Sequence, residues 1–351
     1  MELLDRQTCY RALQSHDARF DGRVFVGVTS TGIYCRPVCP TRPPRFENCR
    51  FFPSAASAQA AGFRPCLRCR PEIAPDLAFW RGTAKTVNRA LTLIAEGALD
   101  GDEANVEAFA ERLGVGGRQL RRLFNQHLGA SPIAVAQTRR VLFAKHLLHD
   151  THLPMTQVAL AAGFGSVRRF NETFRLMFGR PPSALRRKGT AGAAMPEGVT
   201  LRLAYRPPYD WQGMLAALAA RAQSGTEWIE GDVWHRKVEV EGGHGTVSVA
   251  HLPERNSVAV TIRLPSVRAL PGIVNRVRRV FDLGADITTI AGHLARDPGL
   301  APLIARRPGL RAPGAWEQET PAIAIDAAAP PAWRPWHAYA RQHLQMAAGH
   351  G

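Results

Sequence analysis

The sequence predicts a multidomain protein with three folded parts. These are a small α+β domain, an all-α domain with two helix-turn-helix units, and an α+β domain with one antiparallel sheet. Three observations predict it. Four of the six cysteines fall into two close pairs near the N-terminus. Helical periodicity with short glycine breaks runs from about Thr83 to Lys188. Beyond a small-residue stretch, the texture changes to strand-like alternation. At 351 residues the chain is too long for a single core, and its 45% hydrophobic content in periodic patterns excludes disorder as its main character. It contains no run of eighteen apolar residues, so no membrane span is expected. The start, MELLDRQTCYRALQ, is charged and has no apolar signal core, so export is not expected either.

The first domain, 1–80, is organised by cysteine. Cys35 and Cys39 form C-x3-C, and Cys66 and Cys69 form C-x2-C, while Cys9 and Cys49 fall outside the pattern. In a chain expected to stay in a reducing compartment, two such pairs point to metal rather than to disulfides, and four thiolates suit one tetrahedral Zn2+. Arg36, Arg42 and Arg45 surround the first pair, and Arg64, Arg68 and Arg70 the second. A zinc ion with four thiolates carries a formal −2 charge. The arginines either balance it or also face phosphates. Spacing alone leaves two uses open: a closed structural site, or a site whose metal-held sulfur stays nucleophilic.

Charge separates the two halves. Up to residue 190 there are 28 basic and 15 acidic residues, a net +13; the remaining 161 residues carry 17 and 14, a net +3. A genome rich in G and C would explain arginine in place of lysine, but not this difference. The first half has the electrostatic footprint of a nucleic-acid binder.

The second domain, 83–188, contains two helix-turn-helix stretches, 106–129 and 155–179. In each, a short apolar helix ends near glycine and a second helix follows. Leu120, Leu123 and Phe124, then Phe170, Phe174 and Met177, have helical spacing and are expected in the core. Arg118, Gln119, Arg121 and Arg122, then Arg168, Arg169 and Asn171, are the expected contacts to bases or phosphates. A small-residue linker, 189–198, follows. In 199–318, an apolar helix over GMLAALAARA, strands over WHRKVEVEG, GTVSVAHLP and SVAVTIRLP, and helices over LPGIVNRVRRVFDL and DITTIAGHLARDP are expected.

Three resemblances sharpen this reading. TSTGIYCRPVCP with FRPCLRC closely resembles the N-terminal domain of the adaptive-response (Ada) regulators. The resemblance implies that Cys35 is the methyl acceptor and nucleophile, that Cys39, Cys66 and Cys69 complete the zinc site, and that Thr31, Arg42 and Arg64 contact DNA. A family arginine directly after the second zinc cysteine is Pro40 here. AAGFGSVRRFNETFR and FGRPPSALRR resemble AraC-type regulators, which place two recognition helices in successive major grooves. PYDWQGMLAALAARA, VRRVFDLGAD and ARRPGLRAPGAWEQ resemble the N-terminal domain of AlkA-type DNA-3-methyladenine glycosylases.

That glycosylase family continues into a helix-hairpin-helix catalytic domain, which is not found here. Residues 319–351 read instead as a linker, which includes Asp326, and a remnant C-terminal helix, WRPWHAYARQHLQ. Trp333, Trp336 and Tyr339 are expected to belong to an orphaned core helix rather than to a nucleic-acid platform. Asp282 and Asp286 fit the N-terminal module. LPGI at 270–273 precedes them and is not the catalytic hairpin, so base excision is not expected. The acceptor domain with a Pro-Cys-His-Arg motif is likewise not found.

The resemblances imply a transcriptional activator of the alkylation response that repairs methyl phosphotriesters stoichiometrically on Cys35. It would act in the cytoplasm, with double-stranded DNA and RNA polymerase as partners and no membrane. The other readings are an AraC-type regulator with purely structural zinc, or a glycosylase.

Overall fold

The structure, a computed structural model, describes residues 5–74, 85–101, 104–186, 198–317 and 330–348. The linker 189–198, apart from Gly198, lies outside the described residues, as do Asp326, Arg187 and Lys188. The chain divides into two compact units: Met1–Val199 with Ser266–Gly272, and Thr200–Pro265 with Ile273–Gly351. The four-cysteine part and the helical part share the first unit.

The four-cysteine part opens with helix α1, Arg6–Gln14, whose start is capped by Asp5 accepting from the Thr8 amide at 3.1 Å. A four-stranded sheet follows in the order β3-β1-β2-β4. Its strands are β1 Phe25–Val28, β2 Ile33–Cys35, β3 Cys49–Phe52 and β4 Arg64–Pro65. Strand β1 runs antiparallel to β2 and β3, and β2 runs parallel to β4. The β1–β2 turn closes at Gly32, whose φ of 64° favours glycine. On β1, a Cβ at Gly27 would lie 2.8 Å from the Phe52 ring and 2.9 Å from that of Phe63, so glycine lets both rings cover the strand. Helix α2, Ala55–Ala60, begins in a reciprocal Ser54–Ser57 capping box.

Among the described residues, six α-helices make the second part: α3 Lys85–Ala95, α4 Val106–Arg112, α5 Gly117–Leu128, α6 Pro132–Asp150, α7 Met155–Ala161 and α8 Val167–Phe178. The pairs α4–α5 and α7–α8 are the two expected helix-turn-helix units. They repeat in detail. Turn glycines Gly114 and Gly163 have φ of 70° and 80°, and left-handed C-caps Gly129 and Gly179 have φ of 66° and 64°. Leu120, Phe124, Phe170 and Phe174 are fully buried, with Leu123 and Met177 half-buried at the edge of the same faces. Phe170, Phe174 and Phe178 stack along α8 at centroid spacings of 4.8 and 5.0 Å.

The second unit contains a five-stranded sheet in the order β5-β9-β8-β7-β6. Its strands are β5 Val199–Ala204, β6 Glu227–Glu230, β7 Val233–Val240, β8 Gly243–Leu252 and β9 Ser257–Arg263. Strands β6 to β9 form an antiparallel meander, as the alternation predicts. Helices α9 Trp211–Ala219, α10 Leu270–Val280, α11 Ile287–Leu294, α12 Ala301–Arg306 and α13 His337–Ala348 complete the set. Strands β5 and β6 and helix α12 are additions to the sequence reading.

Helix α13, expected to be an orphan, is seated. Tyr339 is buried, and its hydroxyl donates to Asp282 Oδ2 at 2.6 Å; Trp333 Nε1 donates to Asp297 Oδ2 at 2.6 Å. These side chains therefore serve packing within the unit. Asp286 caps α11, accepting from the Thr289 amide at 3.2 Å. Arg311 is fully buried and donates to the carbonyls of Asp282 and Arg206 at 2.7 and 2.5 Å.

Burial pushes the Asp282 carboxyl up to about 7, against the downward pull of Arg311 and of the Tyr339 hydroxyl. The folded chain therefore holds this proton more tightly than the unfolded chain. The contribution to stability is complete below about pH 4 and is lost as pH rises through 7. Asparagine suits the left-handed backbone at this position, where φ is 48°. Asp282→Asn is expected to flatten the decline and to raise stability at pH 8 by about 1–3 kcal/mol. Melting curves from pH 4 to 8 check this; parallel profiles for the two proteins would refute it.

Candidate metal centre and its cleft

Strand pairing builds the centre. The parallel register sets Tyr34 of β2 opposite Pro65 of β4, so the next residues, Cys35 and Cys66, emerge side by side. The Cys66 amide donates to the Tyr34 carbonyl at 3.0 Å. A turn closed by the Cys39 amide on the Arg36 carbonyl brings back Cys39, and the short loop after β4 returns Cys69. All four sulfurs lie within 4.8 Å of one another, and all four residues are buried. Cys9 and Cys49 sit apart, in the packing beneath β1, and burial pushes both thiols up to about 11.

Without a cation the four sulfurs would have to share protons. Hydrogen bonding with Cys35 pulls Cys39 down to about 6 and Cys66 lower still, while the same sharing pushes Cys35 up. A divalent ion replaces those protons and removes the conflict. Four buried sulfurs at this spacing are the donor set that fits zinc.

The sulfurs differ in what reaches them. Cys69 Sγ accepts from the Arg36 amide at 3.3 Å, and Cys66 Sγ from the Arg68 amide at 3.4 Å. The Thr41 hydroxyl lies 3.1 Å from Cys39 Sγ. Among the described residues no donor outside the cluster reaches Cys35 Sγ. Cys35 is also the most open of the four, 9% exposed against 1% for Cys39.

Cys35 opens onto a cleft of about 490 Å³. The cleft collects the candidates Thr31, Arg42 and Arg64, which lie far apart in sequence, and adds Arg68 and Arg180. The surrounding arginines therefore sort into two kinds. Arg36 is buried, gripping Asp21 with two nitrogens and donating to the Cys69 carbonyl at 2.9 Å. Arg70 is buried and pairs with Glu72 at 2.9 Å and Asp150 at 3.0 Å. Arg42, Arg64, Arg68 and Arg180 are exposed, with no carboxylate partner among the described residues. Only the second kind can meet a ligand's phosphate.

The seven helix candidates lie outside the cleft. Arg118, Gln119, Arg121 and Arg122 are exposed on α5, Arg168 and Arg169 are exposed on α8, and Asn171 is half-buried. Arg121 pairs with Glu107 at 2.7 Å and Arg168 with Glu172 at 2.9 Å; both pairs are open to solvent.

The cysteine loop is also clasped to α6, a feature sequence reasoning missed. Lys145 is buried; its Nζ donates to Glu72 at 2.7 Å and to the Cys66 carbonyl at 3.2 Å. Burial pushes the Glu72 carboxyl up, but Lys145 and Arg70 outweigh it and hold it below the usual carboxylate range. His146 and His149 join Asp150 at 3.1 Å each. Two further bonds tie the parts together: Ser54 Oγ to the Leu128 carbonyl at 2.6 Å, and Thr138 Oγ1 to Gln59 Oε1 at 2.7 Å. The signal available was a lysine inside the apolar run VLFAKHLL.

Comparison with known proteins agrees with this anatomy. Residues 8–72 match the family described as the metal binding domain of Ada, 109–188 a helix-turn-helix domain, and 200–317 the AlkA N-terminal domain. The chain is similar to Ada and AlkA proteins in separate segments, and no single family model takes in half of it. A probable bifunctional transcriptional activator/DNA repair enzyme AlkA of Mycobacterium tuberculosis is 42% identical to this chain over 313 residues. That match takes in 88% of the chain and 62% of the relative, so the chain spans under two thirds of that relative's length. The bifunctional transcriptional activator/DNA repair enzyme Ada of Escherichia coli is 32% identical over 155 residues, 44% of the chain and 42% of the relative. DNA-3-methyladenine glycosylase 2 of the same organism is 33% identical over 124 residues, 34% of the chain and 42% of the relative.

Replacing Lys145 by methionine removes a charge while Glu72 stays buried. Lys145→Met is expected to cost the first unit about 3–5 kcal/mol in denaturant unfolding of the zinc-loaded protein. Adding Glu72→Gln should recover part of that loss. A cost below about 1 kcal/mol would mean that the pair does not hold the two parts together.

Proposed function

We propose that this chain takes methyl groups from DNA methyl phosphotriesters onto Cys35 and, once methylated, activates transcription of an alkylation response. The observation that carries this reading is the setting of Cys35. Among the described residues it has no donor from outside the cluster, and it opens onto a cleft rimmed by arginines without a carboxylate partner there. A hydrogen bond or ion pair on a sulfur lowers its nucleophilicity, so the unbonded sulfur is the one poised to react. The names of the relatives, activator and repair enzyme together, support the same reading.

The chemistry balances. A methyl phosphotriester is neutral, so an anionic sulfur meets no repulsion from that phosphate. Cys35 Sγ attacks the methyl carbon; the S–C bond forms as the C–O bond breaks, and the electron pair leaves on the phosphodiester oxygen. Cys35, Cys39, Cys66 and Cys69 would hold the zinc, which would keep their sulfurs deprotonated at neutral pH. Cys35 ends as a thioether, so each chain reacts once. The formal charge of the site goes from −2 to −1, which lowers repulsion of neighbouring phosphates and strengthens DNA binding.

Thr31, Arg42 and Arg64 hold the DNA backbone beside the cleft. Arg118, Gln119, Arg121 and Arg122 on α5, with Arg168, Arg169 and Asn171 on α8, serve two successive major grooves. RNA polymerase is the partner of the activated state, and the cytoplasm is the place of action. Among the described residues no helix is long and apolar enough to cross a membrane.

Mass spectrometry after incubation with methylated DNA is expected to place one methyl on the Cys35 peptide and none in Cys35→Ser, with zinc content measured in parallel. Equal uptake by both proteins would assign the wrong sulfur. Zinc-loaded wild type without a methyl would instead favour a regulator with structural zinc. Release of free 3-methyladenine would point to a glycosylase.

Arg121→Ala and Arg168→Ala are each expected to weaken duplex binding and to flatten its log–log salt slope by about one. Slopes equal to wild type would remove these side chains from the interface.

A further inference from the structure

The cleft at Cys35 is not made by the four-cysteine part alone. Phe178, Arg180 and Leu185, from the end of α8 and the turn beyond it, also line it. The chain is sent there by the Gly179 cap, where the helix ends with the Gly179 amide on the Arg175 carbonyl at 2.9 Å. Gly179 also sits against Arg64: a Cβ built on it would lie 3.6 Å from Arg64 Nη1. Arg180, the next residue, is exposed, with no partner among the described residues.

Electrostatics assigns a use to this cation. A methylated phosphate carries no net charge before transfer, so the arginines beside Cys35 gain less from the damaged group than from charged phosphates. They gain from its neighbours, each of which keeps a full negative charge and two acceptor oxygens. The cleft is in the size range of small-molecule sites, and a single methyl phosphate fills only part of it.

Resting on the methyl-acceptor reading above, we propose that Arg180 is a positioning residue for methyl transfer. It grips a phosphate flanking the damaged one, so the second helix-turn-helix unit supplies part of the acceptor's substrate site.

The test uses the full zinc-loaded chain and a tetranucleotide with one central methyl phosphotriester, short enough to occupy the cleft by itself. Arg180→Ala is expected to raise the oligonucleotide concentration giving half-maximal transfer about tenfold. The transfer rate at saturation should stay within about twofold, because the Cys35 sulfur is untouched. The log–log salt slope of transfer should fall by about one. Arg180→Lys should restore most of the loss, and Arg175→Ala, on the same helix but outside the cleft, should behave as wild type.

If Arg180→Ala matches wild type in concentration dependence and salt slope while Cys35 is methylated, the Arg180 assignment is overturned and the methyl-acceptor reading stands. If wild type takes no methyl from the oligonucleotide or from duplex DNA, that reading fails, and the assignment fails with it.

Discussion

Four sulfurs held within 4.8 Å of one another are the constraint on which the first unit depends. The part that carries them has short strands, two of only two and three residues, and a modest apolar core in two small clusters. A domain of that size buries too little surface to fold on hydrophobic gain alone. The metal supplies the missing cross-link between β2, β4 and the loops that follow them. Register is part of the same device, because a slip of one residue between β2 and β4 would separate Cys35 from Cys66.

That centre also serves as an anchor. Its arginines divide according to whether a carboxylate owns them, and the division separates those spent on the scaffold from those left open to solvent. Arg36 and Arg70 are spent inside the fold on Asp21, Glu72 and Asp150. The cations that remain on the surface around Cys35 come from three separate stretches of chain, one of them in the helical part. A charge count over the sequence cannot make this distinction, because it weighs a buried ion pair and a free guanidinium alike.

Much of the architecture was legible in the sequence, for physical reasons. The cysteine spacing is a geometric statement about a tetrahedral ion, and the glycines at 114, 129, 163 and 179 mark left-handed positions that delimit both helix-turn-helix units. The apolar stripe of Leu120, Phe124, Phe170 and Phe174 gave the buried faces. What stayed hidden is long-range. Lys145 meets Glu72 across 73 positions, and nothing local marks the pair. Arg180 reaches the cleft only through the packing of α8 beside β4. The seating of α13 was missed for a similar reason: its buried residues pack against distant elements, and the Tyr339 hydroxyl reaches Asp282, a residue set aside as part of another module.

The buried Lys145–Glu72 contact links metal supply to the lifetime of the protein. When the ion is lost, the loop carrying Glu72 loosens and leaves a lysine stranded inside α6 without its counter-charge. A helix burdened in that way opens more often and becomes a substrate for proteases. Cells short of zinc would then hold less of this protein, whatever the rate of its synthesis.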